Sequence, residues 1–204
     1  MLTLFYCPSS CSMAPHMVLE ESGEKYTPYL VDCDNGEQRT AAYLKMNPQG
    51  RVPVLRVDNG EYVSENVAIL TFLGKRFGLW SDDPVIEAQM LSFMAWVASS
   101  VHPSQAHYRR PERYATDPSV HPNIQETGLR NFHGYLKQID PLYEGKEWLF
   151  GKLSVADFYA FVLYTWGLQR GFPMHELRNF AALNDRMRER PAVHRVFQDE
   201  KIEV

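Results

Sequence analysis

Apolar and polar residues alternate along the first 80 residues in a pattern that predicts strands and helices in turn. The apolar run LTLFY (2–6) is short and is followed by a proline, which predicts a buried strand. From Ser12 the apolar positions follow helical spacing as far as Gly23, a helix stop signal. A second strand is predicted over 26–32, where Pro28 indicates an edge position or a strand entry.

The next segment predicts a hairpin that leads into a helix. The apolar run VPVLRVD (52–58) predicts a third strand, and the turn sequence DNG (58–60) connects it to a return strand over 61–63. Ser64 is then expected to cap a helix that ends near Phe77. The order βαβ followed by ββα predicts a mixed sheet with helices on its faces.

The pattern changes after GLWSDDP (78–84), where we place a linker. Apolar residues then recur at helical spacing, at Ile86, Met90, Phe93, Val97 and Val101. Beyond this stripe the sequence shows only helical patterns interrupted by proline and glycine. The sequence therefore predicts an α+β protein of two domains, with the strands in 1–80 and an all-helical domain in 85–204.

One helix start is strongly specified by the sequence LSVADF (153–158). Ser154 is a good N-cap residue, and Asp157 stands three residues later, where it can complete a capping box. The residues that follow, 158–166, are apolar on nearly every face, which predicts a buried helix. We therefore interpret Asp157 as a folding residue rather than a catalytic acid.

Composition and charge exclude several classes of function. The chain has 204 residues and a net charge of −4, and its basic residues are scattered, so we expect no nucleic-acid partner. The longest apolar run has nine residues, about half of what a membrane span needs, and no secretory signal is visible. Three cysteines are too few for a secreted disulfide framework. We therefore expect a cytoplasmic protein with no membrane partner.

Four motifs, in this order along the chain, carry a resemblance to a known family. They are YCPSSCSMAPHMVLEESG (6–23), NPQGRVPVL (47–55), VSENVAIL (63–70) and SVADFYAF (154–161). With the predicted architecture, they resemble the glutathione transferases and are most similar to the bacterial beta class. The resemblance implies a thioredoxin-like N-terminal domain that binds glutathione, an all-α C-terminal domain and a homodimer.

The resemblance assigns glutathione-binding roles to two short segments. Val52 and Pro53, after Arg51, would pair through a cis peptide segment with the cysteinyl part of glutathione, like an added strand. Glu65 and Asn66 open a helix, whose N-terminus suits the γ-glutamyl carboxylate. The Glu65 carboxylate would pair with the γ-glutamyl ammonium group.

Candidate catalytic residues come from the first loop and from the helical part. The resemblance implies that Cys11 lies beside the glutathione sulfur, and a position at a helix N-terminus is expected to lower the pKa of its thiol and make the thiolate accessible. Ser10 could donate a hydrogen bond to a thiolate, and Ser9 falls where the zeta class of the family has a catalytic serine. His102 matches a beta-class histidine and could accept or share the thiol proton.

The pair Cys7 and Cys11 leaves a redox interpretation open. The sequence CPSSC resembles a glutaredoxin motif with one inserted residue, and the three-residue gap makes a disulfide possible but not implied. We expect Cys7 to be a bystander at the strand end, and His16 to be structural. No histidine or cysteine has finger-like spacing, so no metal is expected.

The sequence also departs from the beta class at positions that contact substrate. Pro103 and Ala95 replace a lysine and an asparagine, and the segment 33–43 lacks a lysine. These changes alter three polar contacts and therefore affect glutathione affinity or the preferred reaction. The aromatic residues expected to line the electrophile site are His107, Tyr108 and Trp166.

Three functions follow from these residues. The first is a glutathione transferase, with glutathione as co-substrate, that adds the glutathione thiolate to small apolar electrophiles. The second is a glutathione-dependent thiol-disulfide oxidoreductase or peroxidase that uses Cys11, with a zeta-like isomerase as a variant on Ser9. The third is a non-catalytic glutathione-binding member, which Ala95 and Pro103 keep open.

Overall fold

The computed structural model describes residues 1–202, and its sheet is the mixed sheet that the sequence predicts. The strand order is β2-β1-β3-β4, with β1 and β2 parallel and the other neighbours antiparallel. Pro28 lies in β2, at the edge of the sheet, as expected. The strands are β1 (Leu2–Tyr6), β2 (Tyr26–Leu30), β3 (Val54–Arg56) and β4 (Tyr62–Ser64). The third strand is shorter than the predicted span 52–58.

Helices make up the rest of the regular structure in residues 1–202, and no strand follows Ser64 there. The fold is therefore a thioredoxin-like N-terminal sheet and helix unit followed by a helical C-terminal part. The helices are α1 (Met13–Ser22), α2 (Ala41–Met46), α3 (Asn66–Phe77), α4 (Pro84–Trp96), α5 (His102–Arg109), α6 (His121–Ile139), α7 (Val155–Gln169), α8 (Arg178–Arg188) and α9 (Pro191–Asp199). Within the described residues, none of these helices is both long enough and apolar enough to cross a membrane.

The start of α3 differs from the prediction that Ser64 caps it. Ser64 is the last residue of β4 and pairs with Val54, so the strand extends one residue further than expected. Glu65 takes the N-cap position instead, with φ 70° and ψ 125°, and its side chain forms no capping hydrogen bond. The Glu65 side chain therefore takes no part in capping α3.

The connection between α4 and α5 is a π-helical turn over Val97–Val101. The predicted apolar stripe continues through it, because Val97 and Val101 are both fully buried. A π turn closes hydrogen bonds over five residues instead of four, so it changes the direction in which the following residues point. The turn therefore shifts the helical phase of α5 relative to that of α4.

Helix α7 is buried, as its sequence predicts. Every residue from Val155 to Gly167 is buried, and α7 packs against α1, α4, α6 and α8. Asp157 completes the predicted capping box by accepting from the Ser154 backbone N–H at 2.9 Å. One apolar cluster joins β1, α1 and α7, so the strands and the helical part share a core. The division into domains at residues 80–85 stays a prediction.

Candidate functional site

A cleft of about 460 Å³ opens between the thioredoxin-like part and helices α5 and α7. The structure brings most of the residues predicted from the sequence to this cleft. They are Ser9, Ser10, Cys11, Arg51, Val52, Pro53, Glu65, Asn66, His102 and Trp166. The Val52–Pro53 peptide is cis, in agreement with the resemblance.

The loop between β1 and α1 is held from two sides. Ser9 has φ 57°, a backbone conformation that L-residues rarely adopt. Its N–H donates to Glu200 Oε2 at 3.0 Å, and its carbonyl accepts from Trp166 Nε1 at 3.0 Å. Glu200 is itself fixed by His16, whose Nδ1 lies 2.8 Å from Glu200 Oε1 in a buried contact. His16 therefore supports the cleft from behind without lining it.

The hydroxyl groups of the loop bond mainly to the loop itself. The Ser10 and Ser12 Oγ atoms lie 2.7 Å apart, and Ser10 Oγ also accepts from the Ser12 N–H at 3.2 Å. Ser12 Oγ donates to the Cys7 carbonyl at 3.1 Å and accepts from the Cys7 N–H at 3.2 Å. Ser12 is fully buried, so Ser10 is the member of this pair that faces the cleft.

The expected low pKa of Cys11 is wrong for this structure. Cys11 is 7% exposed, and burial raises the pKa of its thiol to about 12. Glu65 adds to the rise, because a nearby negative charge disfavours a thiolate. The Sγ atom lies 3.7 Å from the Val52 carbonyl oxygen, to which a neutral thiol donates. Cys11 is therefore a neutral hydrogen-bond donor at the cleft, and its catalytic role stays a prediction.

Cys7 has the opposite electrostatic setting and also lines the cleft. A hydrogen bond from the Cys33 thiol lowers the Cys7 pKa, while the same contact and burial raise the pKa of Cys33. The backbone explains the contact, because β1 and β2 are parallel neighbours and Val31 N–H donates to the Tyr6 carbonyl at 2.8 Å. All three cysteines are free thiols. Sequence spacing gave no signal for a pair 26 residues apart.

This order of pKa values predicts the order of alkylation. We expect iodoacetamide at pH 8 to label Cys7 at least tenfold faster than Cys11, since the thiolate is the nucleophile. The measurement is peptide mass mapping of the native protein over time. Labelling in denaturant provides the control, because both thiols should then react alike. Faster native labelling of Cys11 would contradict the geometry.

His102 lies against the indole of Trp166, with 5.0 Å between the ring centroids. Burial and the positive charges of Arg51 and Arg113 lower the pKa of His102 to about 4. The imidazole is therefore neutral at pH 7, with one N–H donor and one acceptor nitrogen. A group with this pKa is a weak base that does not retain an added proton at pH 7. Its N–H can still donate a hydrogen bond to an anion in the cleft.

Polar side chains at the floor of the cleft have unused hydrogen-bonding capacity. Asn66 is 6% exposed and Gln105 is 3% exposed, and both line the cleft. Neither side-chain amide has a hydrogen-bond partner within residues 1–202. The Asn66 amide lies beside the Tyr159 hydroxyl without reaching hydrogen-bond geometry. Because buried polar groups are normally paired, this floor is suited to a polar ligand.

The prediction that His107 and Tyr108 line the electrophile site is wrong. His107 Nδ1 bonds to the Pro103 carbonyl at 2.6 Å, and its ring stacks on Tyr114. His107 faces α6, where a Cβ added to Gly128 would lie 2.8 Å from His107 Cβ, and the Tyr108 ring centroid lies 4.9 Å from the Arg170 guanidinium carbon. Neither side chain lines the cleft. The cleft face of α5 instead carries His102, Ala106 and Arg109, at the spacing of one helix face, and Arg110 lines the cleft just after the helix ends.

Three arginines that line the cleft were not found from the sequence, namely Arg109, Arg110 and Arg113. A fourth, Arg51, was expected there as a glutathione-binding residue. The motif HYRRPERY offers no pattern that separates site arginines from solvated ones. To predict these arginines, one would need to know which face of α5 points into the cleft. The π turn before α5 shifts that face, and the sequence does not predict the π turn.

One cluster of possible metal ligands occurs among the described residues, on the far side of α1 from the cleft. Nitrogen and oxygen atoms of His16, Glu20 and Asp199 lie within 4.8 Å of one another. The Glu20 carboxylate is already engaged by the Tyr26 hydroxyl at 2.6 Å and by Arg195 Nε at 2.5 Å. This cluster is therefore an ion-pair network that joins α1 to α9.

Comparisons with known proteins indicate which family the chain resembles. A family model described as the glutathione S-transferase N-terminal domain matches residues 8–76. The chain is 28% identical to the glutathione S-transferase GstA of Escherichia coli O157:H7, over 94% of this chain and 95% of the relative. It superimposes on a glutathione transferase homologue from Sulfitobacter with bound glutathione at TM-score 0.93 and 29% identity, covering 99% of both chains. These similarities support assignment of this chain to the glutathione transferase family.

Two further comparisons concern the class within the family. A bacterial beta class glutathione S-transferase from Sphingomonas chungbukensis superimposes at TM-score 0.85 and 27% identity, covering 97% of this chain and 98% of that one. A maleylacetoacetate isomerase from Pseudomonas aeruginosa is 38% identical, but only over 48% of this chain and 49% of its own length. The full-length similarity therefore agrees with the beta-class resemblance, and the isomerase similarity is confined to half of the chain.

Proposed function

We propose that this protein binds glutathione in the cleft and adds the glutathione thiolate to a small electrophile. The observation that carries the proposal is the convergence of three kinds of group on one cleft. These are a backbone segment before a cis proline at Val52, an acid at a helix start at Glu65, and neutral thiol and imidazole donors at Cys11 and His102. They correspond to the backbone-like middle, the amino-acid end and the thiol of the tripeptide.

The binding groups act through charge and backbone hydrogen bonds. The γ-glutamyl carboxylate is expected at the N-terminus of α3, where unpaired N–H groups carry partial positive charge. The γ-glutamyl ammonium then pairs with Glu65, and the Asn66 amide supplies a further polar contact. The Val52 N–H and carbonyl pair with the cysteinyl residue, which displaces the Cys11 thiol from the Val52 carbonyl.

Displaced from Val52, the Cys11 thiol is free to donate to the glutathione sulfur. The neutral Cys11 S–H and the neutral His102 N–H are two hydrogen-bond donors that stabilise the glutathione thiolate. Neither group carries a negative charge that would repel the thiolate. Arg51 and Arg113 add positive potential near His102. The proton of the glutathione thiol therefore passes to solvent rather than to His102. The thiolate then forms a C–S bond with the electrophile, and an aryl halide loses its halide.

The test measures glutathione binding and conjugation in the same variants. We expect Cys11→Ala to lower kcat/KM toward 1-chloro-2,4-dinitrobenzene at pH 7 by about tenfold, since one charge-stabilising donor is lost. His102→Phe should act in the same direction. Both should move the pH–rate profile to higher pH, because a less stabilised thiolate has a higher pKa.

Further variants test whether catalysis depends on the Cys11 thiol or on a serine hydroxyl. Ser10→Ala tests the cleft-facing hydroxyl, and Ser119→Ala is the matched control on an exposed turn. If conjugation is unaffected in Cys11→Ala and lost in Ser10→Ala, catalysis belongs to the hydroxyl. Absence of glutathione binding at millimolar concentration would overturn the proposal as a whole.

Thiol-disulfide exchange is the second candidate function. The lowered pKa of Cys7 favours it, because this thiol lines the same cleft and contacts a second thiol at Cys33. The redox function was expected on Cys11, whose high pKa does not suit a nucleophile. A mixed-disulfide substrate distinguishes the two functions, since the exchange reaction should depend on Cys7 and conjugation should not.

An isomerase function rests on the half-length similarity to the maleylacetoacetate isomerase and on Ser9 at the cleft. It is the weaker proposal, because the Ser9 backbone is held by Glu200 and Trp166 and no contact at the cleft is specific to it. The resemblance further implies a cytoplasmic homodimer with a detoxification role. These three properties stay proposals.

A further inference from the structure

The mouth of the cleft carries a concentration of positive charge. Arg109 and Arg110 extend from the end of α5, and Arg113 follows on the short turn Pro111–Arg113. We call these three residues the cleft arginines. Arg109 lies two turns after His102 on the same face of α5, Arg110 follows directly at the end of the helix, and both residues line the cleft together with His102.

The cleft arginines have no ion-pair partner among residues 1–202. Elsewhere in the described chain, arginines such as Arg76 and Arg190 do pair with carboxylates. Burial is the largest cause that lowers the pKa values of Arg109 and Arg113, and repulsion from neighbouring arginines, including Arg110, adds to it, while Asp34 acts in the opposite direction on Arg109 and Glu112 on Arg113. An anion in the cleft would relieve this repulsion.

A buried amide beside these charges points to a ligand. Gln105 lies one turn before Arg109 on the same helix and is 3% exposed. Its amide nitrogen and oxygen both lack a hydrogen-bond partner within residues 1–202, although the side chain lines the cleft. A buried amide without partners costs free energy unless a ligand satisfies it. The Gln105 amide therefore provides an observation independent of the arginine charges.

Glutathione does not account for all of this charge. Its γ-glutamyl carboxylate is expected at the start of α3, and its glycine carboxylate suits the hollow formed by Arg39, Gly50 and Arg51. Arg113 borders both that hollow and the main cleft, whereas Arg109 and Arg110 border the main cleft alone. The acids that line the cleft are Asp34 and Glu65, and Glu65 is assigned to the glutathione ammonium.

We propose that the electrophile accepted by this protein carries a carboxylate, which the cleft arginines bind while the Gln105 amide contacts the same ligand. This inference rests on the proposed transferase function and specifies its second substrate. Trp166 supplies the apolar wall against which an aromatic or unsaturated electrophile packs. The expectation of a wholly apolar electrophile is replaced by one with an apolar body and an anionic end.

The test compares two electrophiles that react at the same carbon, 4-chloro-3-nitrobenzoate and its neutral analogue 4-chloro-3-nitrobenzamide. Each rate is divided by the uncatalysed rate with glutathione, which removes the difference in intrinsic reactivity. We expect Arg109→Gln and Arg110→Gln each to raise KM for the benzoate about tenfold and to change KM for the amide less than twofold. Added salt should weaken the benzoate reaction selectively.

The matched control is Arg130→Gln, the same change of charge at an exposed position of α6. It should leave both values of KM unchanged. If the two electrophiles lose rate equally in the cleft variants, the carboxylate is not recognised and the proposal is overturned. If KM for glutathione rises instead, the arginines bind glutathione and the proposal is equally wrong.

A binding experiment keeps the inference testable without turnover. Calorimetry compares the S-(4-carboxy-2-nitrophenyl) and S-(4-carbamoyl-2-nitrophenyl) conjugates of glutathione. We expect the carboxylate conjugate to bind at least tenfold more tightly, and Arg109→Gln to remove the difference. Equal binding of the two conjugates would overturn the inference even if glutathione binds normally. Failure to bind glutathione or either conjugate would overturn the proposed function itself.

Discussion

Asp157→Ala should lower the free energy of unfolding by about 3 kcal/mol or more, the largest stability loss that we expect from a single polar side chain here. The buried carboxylate accepts four hydrogen bonds, from the Tyr143 hydroxyl, the Leu149 N–H, and the N–H and hydroxyl of Ser154. Its removal leaves these donors buried without an acceptor, at about 1–3 kcal/mol for each group that finds no other partner. Denaturant unfolding followed by tryptophan fluorescence measures the loss.

A matched helix cap shows how much of this loss comes from burial. Asp83 caps α4 by accepting from the N–H groups of Val85 and Ile86, but these bonds are exposed to solvent. Asp83→Ala should therefore cost about 1 kcal/mol, the usual value for an N-cap. A third variant, Tyr143→Phe, removes one donor without leaving the carboxylate unsatisfied and should cost less than Asp157→Ala. Equal losses at Asp157 and Asp83 would contradict the importance of the buried network.

The capping box was predictable because its signal is local. Ser154 and Asp157 are three residues apart, and an apolar run follows them directly. The stop signals at Gly23 and Gly78 are equally local, since each glycine takes the left-handed conformation that ends α1 or α3. The parallel and antiparallel strands followed from alternating patterns and a hairpin turn in the same way. Local sequence signals therefore predict most of the strands and helices.

The sequence-based predictions were wrong or incomplete at positions whose properties depend on contacts between residues far apart in the chain. The Cys11 pKa depends on burial against Val52, 41 residues away, so the helix-terminus argument alone gave the wrong direction. His107 and Tyr108 were chosen for their aromatic chemistry, and the π turn before α5 points other residues into the cleft. The Cys7–Cys33 contact requires the neighbouring positions of β1 and β2. None of these features has a signal in local sequence.

The motif residues at the cleft were predictable only through the family resemblance. Arg51, Val52 and Glu65 have no distinctive chemistry by themselves, yet the structure brings all three to one cavity. Without the resemblance, Glu65 would be a plain acidic residue near a helix start. In the structure it is the N-cap of α3 and has a positive φ, which few residues other than glycine adopt, and its role in binding stays a prediction.

Glutathione affinity and fold stability should change in opposite directions at Glu65. A non-glycine residue at φ 70° costs about 1–3 kcal/mol, and such residues persist where the surrounding structure holds them for function. Glu65→Gly relieves this cost, partly offset by the greater chain entropy of glycine in the unfolded state. We expect the variant to be as stable as the original protein or more stable by about 1 kcal/mol. Its affinity for glutathione should fall about 100-fold, because the ammonium group loses its carboxylate partner.

Two further variants separate the charge from the backbone strain. Glu65→Gln keeps a side chain in the strained conformation and removes only the charge, so it should weaken glutathione binding without any gain in stability. Glu61→Gln is the matched control, since Glu61 is an exposed acid just before β4 and does not line the cleft. Calorimetric titration with glutathione and thermal unfolding of the ligand-free protein provide both quantities. If Glu65→Gly binds glutathione normally, the acid has no role in recognition and its strained conformation has another cause.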